Sequence, residues 1–121
     1  MADPLAHAAV AGGKPWLVSY PEIVPPEIGP ITDASIGDML VKACSSFASR
    51  PAFTCLGKTL TFAEVEEHSR HIAAWLQSKG LKKGARVAMM SPNVLQYPIA
   101  MMAILRAGYT VVNVNPLYTA R

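Results

Sequence analysis

Apolar residues run without interruption at Val87-Ala88-Met89-Met90 and again at Val111-Val112, and a longer apolar segment, Val94 to Leu105, lies between them. The first run follows the basic turn Lys82-Lys83-Gly84 and stops at Ser91-Pro92-Asn93. The last, Thr110 to Val114, stops at Asn115-Pro116. This pattern predicts strand, helix, strand over 86–114. The helix is long enough to carry the chain back over a sheet, which makes the two strands parallel neighbours. Apolar residues at consecutive positions predict strands covered on both faces.

Upstream the period changes. Ser35-Ile36-Gly37-Asp38 has the spacing of a capping box, and Ile36, Met39, Leu40, Ala43, Cys44 and Phe47 form an apolar stripe, so a helix is expected to about Ser49, stopped by Pro51. Ala52 to Leu56 and Lys58 to Thr61 flank Gly57 and read as a small hairpin. Thr61-Phe62-Ala63-Glu64 opens a second helix, with Val65, Ile72 and Leu76 on one face and an end at Gly80. Glu64 with His68, and Glu67 with His71, are spaced as ion pairs on its outer side. Asn93 is placed to cap the crossover helix with Gln96 as reciprocal partner, and Pro98 predicts a delayed start or a kink. Met101, Met102, Ile104 and Leu105 make that helix apolar nearly all round, which predicts burial between layers; a Met-rich ligand groove is the sharper alternative. The fold class is therefore α/β, with a parallel unit over 86–114, a small hairpin and two further helices. Residues 1–14 lack periodicity and read as a disordered leader. The proline-rich stretch from Pro15 to Pro30 reads as an extended arm, with Trp16, Tyr20 and Ile23 as anchors over a body.

Hydrophobic residues make up 51% and charged residues 16% of the 121, which excludes a disordered acidic or basic tail and leaves room for one domain. The mean hydropathy of +0.26 is high for a freestanding soluble domain. It points to a membrane segment or to a piece of something larger. A span needs about 20 apolar residues; Val94 to Leu105 is shorter and contains Gln96 and Pro98. Before Gly12 there is no basic region followed by an apolar run, so a cytoplasmic address is expected. The net charge of +3 sits mostly in Lys79, Lys82, Lys83 and Arg86, without interleaved aromatics. That is a solvated turn rather than a nucleic-acid surface, with contact to anionic lipid headgroups as the other chemistry open to it. Cys44 and Cys55 have no metal or redox spacing and read as small buried hydrophobes.

Ligands of open α/β sheets bind beyond the carboxyl ends of the strands, here Ser91-Pro92-Asn93 and Asn115-Pro116, although asparagine beside proline is first of all turn chemistry. Gly12-Gly13-Lys14 has the end of a phosphate loop but lacks its first glycine and its Ser or Thr. His68 and His71 have no third ligand nearby, and Glu64, Glu66 and Glu67 lie on a polar helix face. No catalytic, cofactor-binding or metal-ligating residue is assigned.

The order and spacing of Pro51-Ala52-Phe53, Leu60-Thr61-Phe62, Gly84-x-Arg86-Val87-Ala88, Pro92-Asn93, Ala107-Gly108 and Asn115-Pro116 resemble those of the AMP-forming adenylating enzyme superfamily. The runs Leu95-Gln96-Tyr97-Pro98, Ile104 to Gly108 and Val111 to Thr119, with the arm from Ser19 to Ile28, resemble the bacterial long-chain fatty-acid–CoA ligases within it. Ala85 departs from the aspartate usual in Gly-Asp-Arg-Val, which touches a turn only. The resemblance covers about Trp16 to Arg121. It implies that residues 15–121 are an amino-terminal fragment of the large adenylating domain, truncated before the ATP-binding motif. For the full-length family it implies fatty acid, ATP, Mg2+ and CoA as substrates and cofactors. The fatty carboxylate forms an acyl-adenylate and pyrophosphate, and the CoA thiol then displaces AMP. It also implies a cytoplasmic enzyme with peripheral contact at the inner membrane. This chain alone is then an inactive scaffold with no cofactor of its own and a tendency to self-associate. The alternatives are an autonomous small α/β binding or interaction module, or a fragment of an aryl or short-chain acid–CoA ligase.

Overall fold

The computed structural model describes residues 13–119, which divide into two units between Thr32 and Asp33. Most of the expected leader, residues 1–12, lies outside the described residues. The first unit is not extended throughout. It opens with a 3-10 turn, Pro15–Ser19, which Pro15 starts at no hydrogen-bond cost because the first N–H of a helix is unpaired in any case. Lys14 pairs with Glu27, and Trp16, Tyr20 and Ile23 are exposed.

The second unit runs α1 (Ile36–Ser46), β1 (Pro51–Cys55), β2 (Lys58–Thr61), α2 (Phe62–Gln77), β3 (Arg86–Met90), α3 (Gln96–Arg106) and β4 (Thr110–Val114). β1 and β2 form an antiparallel pair and β3 and β4 a parallel one, with Val87 opposite Val111 and Met89 opposite Asn113. The strand-helix-strand unit, the hairpin and the two further helices are those the pattern predicts.

Local chemistry sets most boundaries. Ser35 caps α1 by accepting from the Asp38 N–H at 3.1 Å, but Asp38 reaches back to the N–H of Ala34, not Ser35. The capping box is therefore half formed, and α1 stops at Ser46, short of the expected Ser49. At α2 the box is complete: Glu64 Oε2 accepts from the Thr61 N–H at 2.8 Å, and Thr61 Oγ1 from the Glu64 N–H at 3.3 Å. The hairpin turns on Leu56 and Gly57 alone, at φ 49° and 76°, so Leu56 lies outside its expected strand.

α3 corrects a second expectation. Asn93 does not cap it; the helix starts at Gln96, and Leu95 is its cap position without a side-chain bond. Capping by Asn93 would put Pro98 at the fifth helical position, where its missing N–H forfeits a helical hydrogen bond. Starting at Gln96 puts Pro98 in the first turn, where none is lost. The delayed start wins. At the other end Gly108 (φ 83°) donates to the Leu105 carbonyl and Tyr109 to the Ile104 carbonyl, a left-handed glycine cap in which Tyr109 and Ile104 are buried together.

α3 is the centre of the unit. Met102 and Ile99 pack with Cys44 and Val65 toward α1 and α2, and Ala103 and Ile104 pack with Ala73, Leu76, Met89 and Tyr109 toward α2 and the parallel strands. The buried face of α2 is Val65, Ser69, Ala73 and Leu76, while Ile72 is 37% exposed, against the expected Val65-Ile72-Leu76 face. Small residues win because Ser69, Ala73 and Ala103 let the two backbones approach closely. Ser69 satisfies its hydroxyl within the helix by donating to the Glu66 carbonyl at 2.9 Å. One face of the parallel pair, Val87 with Met89, lies on the core. On the other, Ala88 and Met90 are exposed and Val112 and Val114 partly so, which departs from the expected double cover. Among the described residues no helix is long and apolar enough to cross a membrane.

Candidate functional site

The carboxyl ends of β3 and β4 lie side by side because the strands are parallel and in register. Ser91 Oγ donates to the Pro92 carbonyl at 3.1 Å, and Asn115 Oδ1 accepts from the Leu117 N–H at 2.9 Å. Asn115 thus spends its side chain on the turn, as the sequence favours. Asn113, one residue inside β4, accepts from the Tyr97 hydroxyl at 3.0 Å and so ties the start of α3 to the strand beneath it.

Beside these loops is an apolar groove of about 320 Å³. Phe53 and Cys55 of β1 form one wall, Val94 and Leu95 of the loop a second, and Tyr97, Pro98 and Met101 of α3 the third. The Cys55 thiol donates to the Asn93 carbonyl at 3.6 Å, which joins the hairpin to the loop. No lining residue is charged. The groove is therefore able to hold an apolar group, and it supplies no charged acid, base or phosphate-binding cation. Of the Met-rich stretch, Met101 lines this groove and Met102 is core.

Two other clusters hold polar groups. Arg106 donates to Glu66 at 2.9 Å, and Glu66 also faces Arg70 at 3.6 Å. Cys44 lies against this cluster, buried, and the burial pushes its thiol up, with Glu66 adding to the shift and Arg106 opposing it. A thiol so placed stays protonated and is a core residue, not a nucleophile. His68 and His71 border a depression with Ile72, Gln96 and Ile99. Among the described residues neither makes the expected salt bridge; for His68 the reason is that the Glu64 carboxylate is engaged by the Thr61 cap. Among the described residues no group of three or more His, Cys, Asp and Glu is placed to hold a metal ion.

The groove was not legible in the sequence, since its walls come from three separated segments. The signal present was the cluster Tyr97-Pro98 and Met101 on one side of a helix start.

Residues 40–121 match the AMP-binding enzyme family. The chain belongs to that family. Within it, 109 residues are 54% identical to the long-chain-fatty-acid–CoA ligase of Escherichia coli O6:H1, covering 89% of this chain and 19% of that protein. The AMP-binding fold is equally clear in solved structures. The luciferase-like enzyme of the mealworm Zophobas morio is 31% identical with a TM-score of 0.71, over 77% of this chain and 23% of that one. The amino-terminal subdomain of Klebsiella oxytoca NpsA is 27% identical with a TM-score of 0.67, over 70% of this chain and 22% of that one. The chain thus spans about a fifth of the length of the curated relatives it matches.

Proposed function

We propose that this chain serves as the amino-terminal scaffold, residues 15–121, of a long-chain fatty-acid–CoA ligase, which joins fatty acid and CoA at the cost of ATP and releases AMP and pyrophosphate. The observation that carries this is the 54% identity to such a ligase over 89% of the chain. The scaffold role rests on chemistry. The groove by the strand ends does not fit ATP or Mg2+: it has neither a cation for phosphate nor a carboxylate for metal. What these residues do is hold the parallel strand pair in register and fix the loops at its carboxyl end. The nucleotide, metal, CoA and the catalytic groups belong to other parts of such an enzyme.

Two further properties belong to this reading. By itself the chain self-associates through the apolar outer face of β3 and β4, and the enzyme makes peripheral contact with the inner membrane, where its fatty substrate arrives. The test of the scaffold role is a mass-spectrometric assay of the purified 121-residue chain with oleate, ATP, Mg2+ and CoA. No acyl-CoA is expected. Its formation in proportion to the chain would overturn the reading.

A further inference from the structure

The acidic residues of this chain, eight in all, end at Glu67; beyond it every formal charge is positive. The fold gathers four of these cations at one end of the second unit. There the end of α2 and the start of β3 meet the end of α3 and the start of β4. The Gly84 N–H donates to the Gly108 carbonyl at 2.8 Å, the Tyr109 hydroxyl to the Leu81 carbonyl at 3.4 Å, and Thr110 Oγ1 to the Gly84 carbonyl at 3.3 Å. Lys79, Lys82, Lys83 and Arg86 are all exposed at this end.

The turn also has the aromatic that sequence spacing did not credit to it. Trp75, one helical turn before Lys79, is 57% exposed, and the Lys79 Nζ lies 4.7 Å from its ring centroid. Leu81, in the turn itself, is 44% exposed. Cations at a helix C-terminus complement its dipole. That accounts for Lys79, but not for a tryptophan and a leucine left in water beside it, nor for four cations with no carboxylate paired to them among the described residues. Lys42, by contrast, lies 2.9 Å from Asp33 and 2.8 Å from Asp38.

We propose that this end of the molecule is the surface by which the protein lies on an anionic lipid bilayer. Trp75 and Leu81 enter the headgroup boundary while Lys79, Lys82, Lys83 and Arg86 sit among the lipid phosphates. This deepens the reading of peripheral membrane contact above and gives it a location. Tryptophan favours this boundary because its ring is apolar and its N–H finds a polar partner there. Lysine stems cover apolar surface while their ammonium groups stay in the polar layer. Each basic residue near such a surface strengthens binding by roughly fivefold. The surface is at the amino ends of β3 and β4, so a bilayer there leaves the loops at their carboxyl ends facing away from it.

Flotation of the 121-residue chain with lipid vesicles tests this, because aggregated protein sinks while bound protein rises. The chain is expected to float with vesicles of phosphatidylcholine plus phosphatidylglycerol and not with phosphatidylcholine alone. Replacing Lys79, Lys82 and Lys83 together by Gln is expected to weaken binding on the order of a hundredfold, and Lys58→Glu, on the distant hairpin, to leave it nearly unchanged. With Trp16→Phe removing the other tryptophan, bromine-labelled lipid is expected to quench Trp75. Equal flotation of the triple variant, shown by circular dichroism to retain its helices, would overturn the assignment of the surface while leaving the ligase reading intact. No flotation of the parent chain, or binding to RNA in its place, would overturn it too.

Discussion

Arg106, the last residue of α3, donates from Nη1 to Glu66 Oε1 on α2 across 2.9 Å, with the two side chains 18% and 26% exposed. The Nε and Nη2 groups of the same guanidinium are buried with no acceptor among the described residues. Glu66 is therefore the principal compensation for a charge held between helices. Glu66→Ala should destabilise the fold by about 2 kcal/mol, since it strands that charge, whereas Glu66→Leu with Arg106→Met should recover most of the loss. Urea unfolding of Glu66→Ala, of Glu66→Leu and Arg106→Met singly, and of the double variant measures both. Additive single losses would show that the pair is not coupled.

The Thr61–Glu64 cap gives a pH dependence of known sign. Hydrogen bonds from the Thr61 N–H and hydroxyl, with a smaller contribution from His68, hold the Glu64 carboxyl below its usual range. A carboxyl whose folded pKa is lowered contributes stability that is present above its unfolded pKa and lost as pH falls through the folded one. Helicity of the parent chain should therefore decline as the solution is acidified below the ordinary glutamate range of about 4.3. Glu64→Gln keeps an acceptor oxygen and should flatten that part of the profile, which circular dichroism against pH will show.

Leu56 is a bulky residue held at φ 49° with 94% of its surface exposed, so it has backbone strain and almost no packing to offset it. Leu56→Asn creates Asn-Gly, the pair that a two-residue hairpin of this type favours. The gain should be about 0.5–1 kcal/mol, read as a rise in the urea midpoint. A fall would mean that Leu56 makes a contact of consequence.

Met90 is 55% exposed on the outer face of the parallel pair, opposite Val114, and Val112 lies on the same face opposite Ala88. Met90→Lys with Val112→Lys should shift the isolated chain toward monomer in sedimentation velocity without loss of helicity. An unchanged distribution would place self-association elsewhere.

How much of this was legible follows from the range of each interaction. The parallel unit was readable because its signals are local: apolar runs, Asn-Pro punctuation and the Ala107-Gly108 cap each lie within a few residues. The α2 capping box was readable for the same reason, three residues apart. The start of α3 was not, because the sequence offers both Asn93 and Pro98 and only the hydrogen-bond cost at Pro98 decides between them. The α2 contact face was misread because Ser69 and Ala73 pack by being small, which leaves no apolar period. Glu66 and Arg106 are 40 residues apart, and nothing in either neighbourhood points to the other. The apolar groove needs three segments at once, and Trp75 joins the basic turn only through the helix that precedes it.

If the chain is such a scaffold, its residues are interchangeable with the corresponding part of a fatty-acid–CoA ligase. The direct measurement is a chimera in which the matching 109 residues of the Escherichia coli O6:H1 ligase are replaced by those of this chain, assayed for fatty-acid-dependent exchange of pyrophosphate into ATP. Exchange is expected within about tenfold of the parent enzyme, because the substituted residues position strands and loops and include no reacting group. A soluble, cooperatively folded chimera with no exchange would contradict it.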